Sequence, residues 1–361
     1  VKNSTSVLML LYLCLANSAW AQPPKLLDVE VPGGHFVGLP VHWSSLDAVV
    51  LETTGHLHII DQADVLGHQL LSADFSAQTL AEARNALQSE LGAQYEVVVY
   101  GPYVIAAPLG QVQRWRERFS ALLAGYLRYF ETRGWKLQRP DFPLCVTVFA
   151  TRQEFLTYTA KQVQSLPNSV VGSYFPRSNR CVLYHIEGPG SQGAAQTNWS
   201  ETEATIVHEA VHQLAFNTGL HERLGMDPLW FVEGLASMFE QPNVYDPRQQ
   251  QSSVESRMLP DKRKRLQPWL KQPELLLQHL QALVASDTLF AQQPDVAYDL
   301  GWALTFYLAE RKPAEFRAFT QVLAARPFGD YSTTERIRDF RNVFGGDLSL
   351  LAAQLIRLFE M

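Results

Sequence analysis

The sequence is poor in cysteine, in surplus basic charge and in long apolar runs, and each shortage removes a class of protein. Three cysteines in 361 residues cannot staple a disulfide scaffold, so a hydrophobic core must hold the fold. Lys and Arg number 30 against 36 Asp and Glu, for a formal net charge of -6. No positive excess remains to neutralise phosphates, and nucleic acid is not an expected partner. The apolar run at residues 7–16 spans ten positions, half of the roughly 20 that a bilayer-spanning helix needs. No later stretch is long and apolar enough to span, so no membrane span is expected.

That short run follows Lys2 and precedes Ala19-Trp20-Ala21, the three-part pattern of a secretory signal peptide over residues 1–21. The expectation is an exported chain, periplasmic or extracellular after cleavage near Ala21. Cys145 and Cys181 then remain. In an oxidising compartment they either pair or stay as two buried thiols, and spacing alone does not decide between the two.

What the chain does hold is 47% hydrophobic and 18% charged residues, enough for one or two globular domains. Residues 23–76 read as short strands broken by Gly, Pro and Asp, followed by a helix near 77–91 and two β-type runs at 95–100 and 103–107 around Gly101-Pro102. A small α/β unit over residues 22–108 would account for these. Residues 111–133 carry Trp115, Phe119, Leu122, Tyr126 and Phe130 at helical spacing and end before Gly134, which predicts a long amphipathic helix. Next come a strand at 144–149, a helix near 153–161, and a strand pair at 170–175 and 181–186 joined by a turn. Residues 188–198 read as a loop. Residues 243–264 read as a polar insertion whose basic run, Lys262 to Arg265, is a solvated face. From Pro273 onward the period is helical.

The chemistry sits at His208-Glu209-Ala210-Val211-His212, an H-E-x-x-H run. Positions i and i+4 of a helix lie about 40° apart around the axis, so both imidazoles can point at one ion. Ser200 with Glu203 reads as a capping box opening this helix, and Asn217 with Gly219 as its stop. A catalytic zinc site needs a third protein ligand and an open position. Glu233 supplies that ligand from a second helix, with Asp227 as N-cap and Pro228 in the first turn. Gly234 beside it implies close approach of another helix, taken to be the one carrying His208. Glu209, about 100° from His208, falls beside the ion as a base for the metal-bound water. Tyr174, Tyr184 and His185 lie on the preceding strand pair, where an extended peptide could add as a strand. His221 does not complete a longer histidine motif and reads as a loop residue. His56 and His58 alternate on a strand without an evident third ligand.

At these residues the sequence resembles the gluzincin superfamily of zinc peptidases, and the segment Trp230-Phe-Val-Glu-Gly-Leu-Ala236 is similar to peptidase MA-like bacterial proteins. The likeness extends through residues 171–180 and 297–306. It implies an α+β fold with a thermolysin-like core over residues 109–361, in which a small mixed sheet and the motif helices are followed by a helical C-terminal part. It also implies one catalytic zinc ion on His208, His212 and Glu233, with Glu209 as general base and a peptide or protein as substrate. A late tyrosine donating to the oxyanion is implied as well, for which Tyr298 is the candidate. Thermolysin-like members carry an acid one turn after the ligand glutamate to orient a histidine, and Ser237 stands there in this chain. A competing reading is a non-catalytic, zinc-stabilised binding module with the same fold. An intact Glu209 favours the enzyme, because a purely structural site needs no base.

Overall fold

A computed structural model describes residues 24–163, 170–185, 199–246 and 253–360, with the side chains of 199–202 excepted. The expected signal segment and the Gly-rich loop at 188–198 lie outside them. The fold is α+β, with two small sheets in the N-terminal half and a helical C-terminal half. None of the described helices is long and apolar enough to cross a membrane.

Contacts divide the chain into two units, Val1–Ala77 and Gln78–Met361. In the first, β1 (Lys25–Val31), β2 (Gly34–Trp43), β3 (Asp47–Leu51), β4 (Leu57–Asp61) and β5 (Gly67–Asp74) form one sheet in the order β4-β3-β2-β1-β5. All its pairings are antiparallel. Leu27 and Val29 of β1 are buried while Asp28 between them and Glu30 after them are not, the period-two alternation of a strand with one covered face. His58 is tied to Glu52 at 2.7 Å and stacks on Phe36, so its nitrogen already has an acid partner.

The second unit opens with α1 (Leu80–Leu91), started by a capping box between Thr79 and Glu82. It continues through β6 (Tyr95–Tyr100), β7 (Tyr103–Pro108), α2 (Val112–Glu131), β8 (Leu144–Phe149), α3 (Arg152–Thr159), β9 (Gly172–Phe175) and β10 (Arg180–Tyr184). Its sheet runs β6-β7-β8-β10-β9. The unit boundary therefore falls at Ala77 and not near residue 108. The β6–β7 hairpin, expected in an N-terminal α/β unit, is continued by parallel pairing of β7 with β8, with Ile105 opposite Val146. Without α1 and that hairpin, the first unit is a β-sheet unit.

Cys145 and Cys181 are both free. In the parallel β8–β10 register Cys181 stands opposite Val146 and Cys145 opposite Arg180. Successive residues of a strand face opposite sides, so the two thiols point to different faces of the sheet. Cys181 joins the large core and Cys145 the smaller one.

The helical half holds α4 (Trp199–Asn217), α5 (Leu229–Phe239), α6 (Pro242–Tyr245), α7 (Pro260–Leu270), α8 (Pro273–Ala285), α9 (Thr288–Gln292), α10 (Pro294–Arg311), α11 (Pro313–Ala324), α12 (Thr333–Phe344) and α13 (Leu348–Phe359). Two of these are buried nearly all round, α5 and α10, as expected of central helices. Trp230, Phe231, Trp302 and Phe306 are fully buried there, each contributing about 2–3 kcal/mol through apolar burial.

Gly234 is the crossing point. A Cβ there would collide with Thr305 Oγ1 and the Gly301 carbonyl oxygen, so the helix it approaches is α10, not α4 as the sequence suggested. Thr305 Oγ1 donates to the Trp230 carbonyl at 3.0 Å across the same contact. Alanine has the better helix propensity by about 1 kcal/mol, yet the obstruction includes backbone. Gly234→Ala is expected to destabilise the protein by about 2–4 kcal/mol, read as a lower urea midpoint at unchanged slope.

The basic run of α7 is only partly a solvated face. Arg265 makes two hydrogen bonds to the buried Asp299, both 2.7 Å, and Lys262 lies 3.9 Å from the same carboxylate with 11% of its side chain exposed.

Glu310 of α10 accepts from Tyr129 at 2.9 Å, Arg133 at 2.9 Å and Arg257 at 2.5 Å. Burial alone would raise its carboxyl, but the Arg257 and Arg133 guanidiniums outweigh burial and hold it below the ordinary 4.5. A depressed acid stabilises the fold above its unfolded pKa, and the contribution is lost as pH falls through the folded value. Glu310→Gln is expected to cost about 2–4 kcal/mol at pH 7. In urea unfolding the gap from the unaltered chain should narrow progressively below about pH 4.5; a gap independent of pH would contradict this.

Candidate metal centre

The motif lies on α4 as expected, but the helix begins at Trp199, so Ser200 sits inside the first turn and not ahead of it. Its side chain is outside the described residues. The stop is as expected: Gly219 takes φ +80°, and the Leu220 and His221 amides both donate to the Ala215 carbonyl, at 3.1 and 3.0 Å.

Helix α5 is not capped by Asp227. Its Leu229 amide donates 3.0 Å to Asp287, from the junction of α8 and α9. Arg336 of α12 holds that carboxylate at 2.7 and 2.6 Å. Asp227 instead sits 3.3 Å from His221, a residue 2% exposed and in ring contact with Phe216 and Phe231. His221 is thus a buried residue of the α4–α5 connection and stands outside the metal-ligand group.

Between the two helices, His208, His212 and Glu233 bring one ligand atom each within 4.8 Å of one another, the single such group among the described residues. Glu233 Oε2 lies 3.1 Å from His208 Nε2 and 3.6 Å from His212 Nε2. A tetrahedral ion with ligand bonds of about 2.0–2.1 Å separates its ligands by roughly 3.4 Å, so these spacings bracket what zinc requires. Two nitrogens and one oxygen are also a donor set zinc accepts in sites with an open position. The side chains of His208, His212 and Glu233 keep 14%, 10% and 17% exposure, enough to leave the site reachable from solvent.

Charge reinforces the cluster. Burial works against a charged His208, but the Glu233 and Glu240 carboxylates outweigh it and hold the imidazole well above its ordinary value. Burial likewise opposes the Glu233 carboxylate, and His212 and His208 outweigh it, so Glu233 stays well below the usual carboxylate range.

Glu240 is the residue that sequence reasoning missed. It accepts from His208 Nδ1 at 2.8 Å, fixing the ring with Nε2 turned toward Glu233, the outer partner that metal-binding histidines usually have. The acid expected one turn after Glu233 is Ser237, whereas the acid that acts lies two turns on. The signal was available: seven residues on a helix return to within about 20° of the same face. Glu240→Ala should weaken zinc binding about 10–100-fold, measured by competition with a chromogenic chelator.

Glu209 is not a member of the ligand group. Its Oε2 accepts from the Tyr174 amide of β9 at 2.7 Å, and burial raises its carboxyl against the opposing pull of His208 and His212. Tyr174 and Tyr184 have buried rings. What Tyr174 presents to the site is therefore its backbone, on a strand at the edge of its sheet. Tyr298 of α10 is 38% exposed and packs edge-on against Phe290. Burial first, then the charges of Glu233 and Glu209, push its hydroxyl up to about 12.

Fold and site together define an α+β protein with a candidate metal centre of two histidines and a glutamate. Residues 202–329 match the model of a family described as a protein of unknown function, DUF1570. The match takes in both histidines, Glu209, Glu233, Glu240 and Tyr298. No curated protein matches the chain.

Proposed function

We propose that the chain is a zinc-dependent peptidase acting outside the cytoplasm. The observation that carries this is Glu209: a carboxylate one residue from a ligand histidine, outside the ligand set and held in place by the Tyr174 amide at 2.7 Å. A metal site that served structure alone would have no use for it.

His208, His212 and Glu233 would hold the zinc, which when bound would supply Lewis acidity to the reacting water and carbonyl. Glu209 takes the proton released during attack on the peptide carbonyl and passes it to the departing amine. The raised carboxyl of Glu209 suits a group that must both accept and return a proton. Tyr298, whose hydroxyl keeps its proton at neutral pH, donates to the developing oxyanion. Glu240 holds the His208 ring throughout. Action outside the cytoplasm rests on the signal-like pattern of residues 1–21.

The test is metal analysis of the purified chain, then profiling against a peptide library with and without chelator. One zinc per chain and chelator-sensitive cleavage are expected. One zinc per chain with no peptide cleaved would replace this reading with the zinc-stabilised binding module.

A further inference from the structure

The turn between β9 and β10 is held by side chains of α4 and of the loop that follows it, far more closely than a surface hairpin requires. Asn179 in this turn is 2% exposed and adopts φ +57°, the left-handed region that asparagine tolerates better than most residues. Its side chain exchanges hydrogen bonds with Asn217 at 2.9 and 2.7 Å. Its carbonyl accepts from the fully buried Gln213 at 3.0 Å, and the same Gln213 nitrogen donates to the Cys145 carbonyl of β8 at 3.0 Å. Arg223, beyond the end of α4, donates to the Pro176 carbonyl at 2.8 and 2.6 Å and to the Arg177 carbonyl at 3.0 Å.

One residue joins this network to the site. The Tyr174 hydroxyl donates to Asn179 Oδ1 at 2.9 Å, and the amide of the same residue donates to Glu209 Oε2 at 2.7 Å. Gln213 and Asn217 lie one and two turns after Glu209 on the same helix, so the clamp and the carboxylate share one rigid frame. Buried amide networks of this kind specify a single arrangement because each broken bond leaves an unsatisfied group.

We propose that Asn179, Gln213 and Asn217 form a positioning clamp that sets β9 against α4, so that the Tyr174 amide fixes the Glu209 carboxylate through Oε2 and leaves Oε1 to move the proton. The clamp rests on the reading of Glu209 as the base. Asn179, Gln213 and Asn217 touch no substrate; they act through Tyr174.

The experiment follows the exchange rate of the Tyr174 amide in the zinc-loaded full chain. Asn179→Gly keeps the left-handed turn at little cost while deleting the clamp's side chain. It should speed Tyr174 exchange by roughly tenfold with zinc stoichiometry unchanged, and Glu209→Ala should do the same. The double variant should exchange no faster than either single one, because both remove one coupled interaction. With a cleaved peptide in hand, Asn179→Gly should lower kcat and leave KM unchanged. Should it lose zinc through misfolding, Asn217→Ala is read the same way. Unchanged Tyr174 exchange in a zinc-loaded variant, or strictly additive effects, overturns the clamp. Coupled exchange in a chain that cleaves no peptide supports the clamp and overturns only the peptidase reading.

Discussion

Glu209→Gln is expected to lower peptide hydrolysis by about two to four orders of magnitude while zinc remains at one per chain. The substitution keeps the shape of the side chain, and its carbonyl oxygen can still accept from the Tyr174 amide that now binds Oε2. The ligand group is untouched, since it consists of His208, His212 and Glu233. What disappears is the capacity to take and return a proton, so the loss should fall on kcat and not on KM. Activity within a few-fold of the unaltered chain would end the proposed mechanism.

Glu233→Ala should act on the metal itself. Outer partners of a ligand histidine typically matter by 10–100-fold in affinity, and a direct ligand should matter more, so a loss above about a hundredfold is expected. With zinc present at a thousand times its Kd, binding stabilises the native state by about 4 kcal/mol. The unaltered chain should therefore melt higher with zinc than with chelator, and Glu233→Ala should keep less than about 1.4 kcal/mol of that stabilisation, with a correspondingly smaller shift. Glu240→Ala should fall between them, because His208 keeps its place on α4 but loses the 2.8 Å hydrogen bond that orients it. If Glu233→Ala retains the full zinc-dependent shift, another group supplies the third ligand.

Much of the site was legible because it is written in local periodicity. The i, i+4 spacing of His208 and His212 needs only a helix to bring both rings together, and Glu209 follows from the same helix. The stop at Gly219 is likewise local, a left-handed turn that closes on the Ala215 carbonyl. The start of α5 was not legible. Asp227 has the chemistry of an N-cap, but it turns to His221, and Asp287 arrives from 58 residues away to bind the Leu229 amide. Capping preference states which residue types can bond an orphan amide, not which of several candidates reaches it.

Gly234 shows the same division. Its presence in a helix interior announces a close approach, yet only the packed structure shows α10 as the neighbour. The unit boundary is a further case. The β6–β7 hairpin is visible from its turn residues, whereas the parallel pairing of β7 with β8 spans the whole of α2 and leaves no mark in the alternation of either strand.

By itself, then, the sequence determined the helical period of the C-terminal half, the hairpins, and two histidines and a glutamate on one helix, because these depend on neighbours within a turn or two. Tertiary structure alone decided which carboxylate orients His208, which amide holds Glu209, which helix Gly234 admits and on which faces the two thiols lie. Those outcomes are contacts between segments distant along the chain, and they are selected by the packing of the whole core.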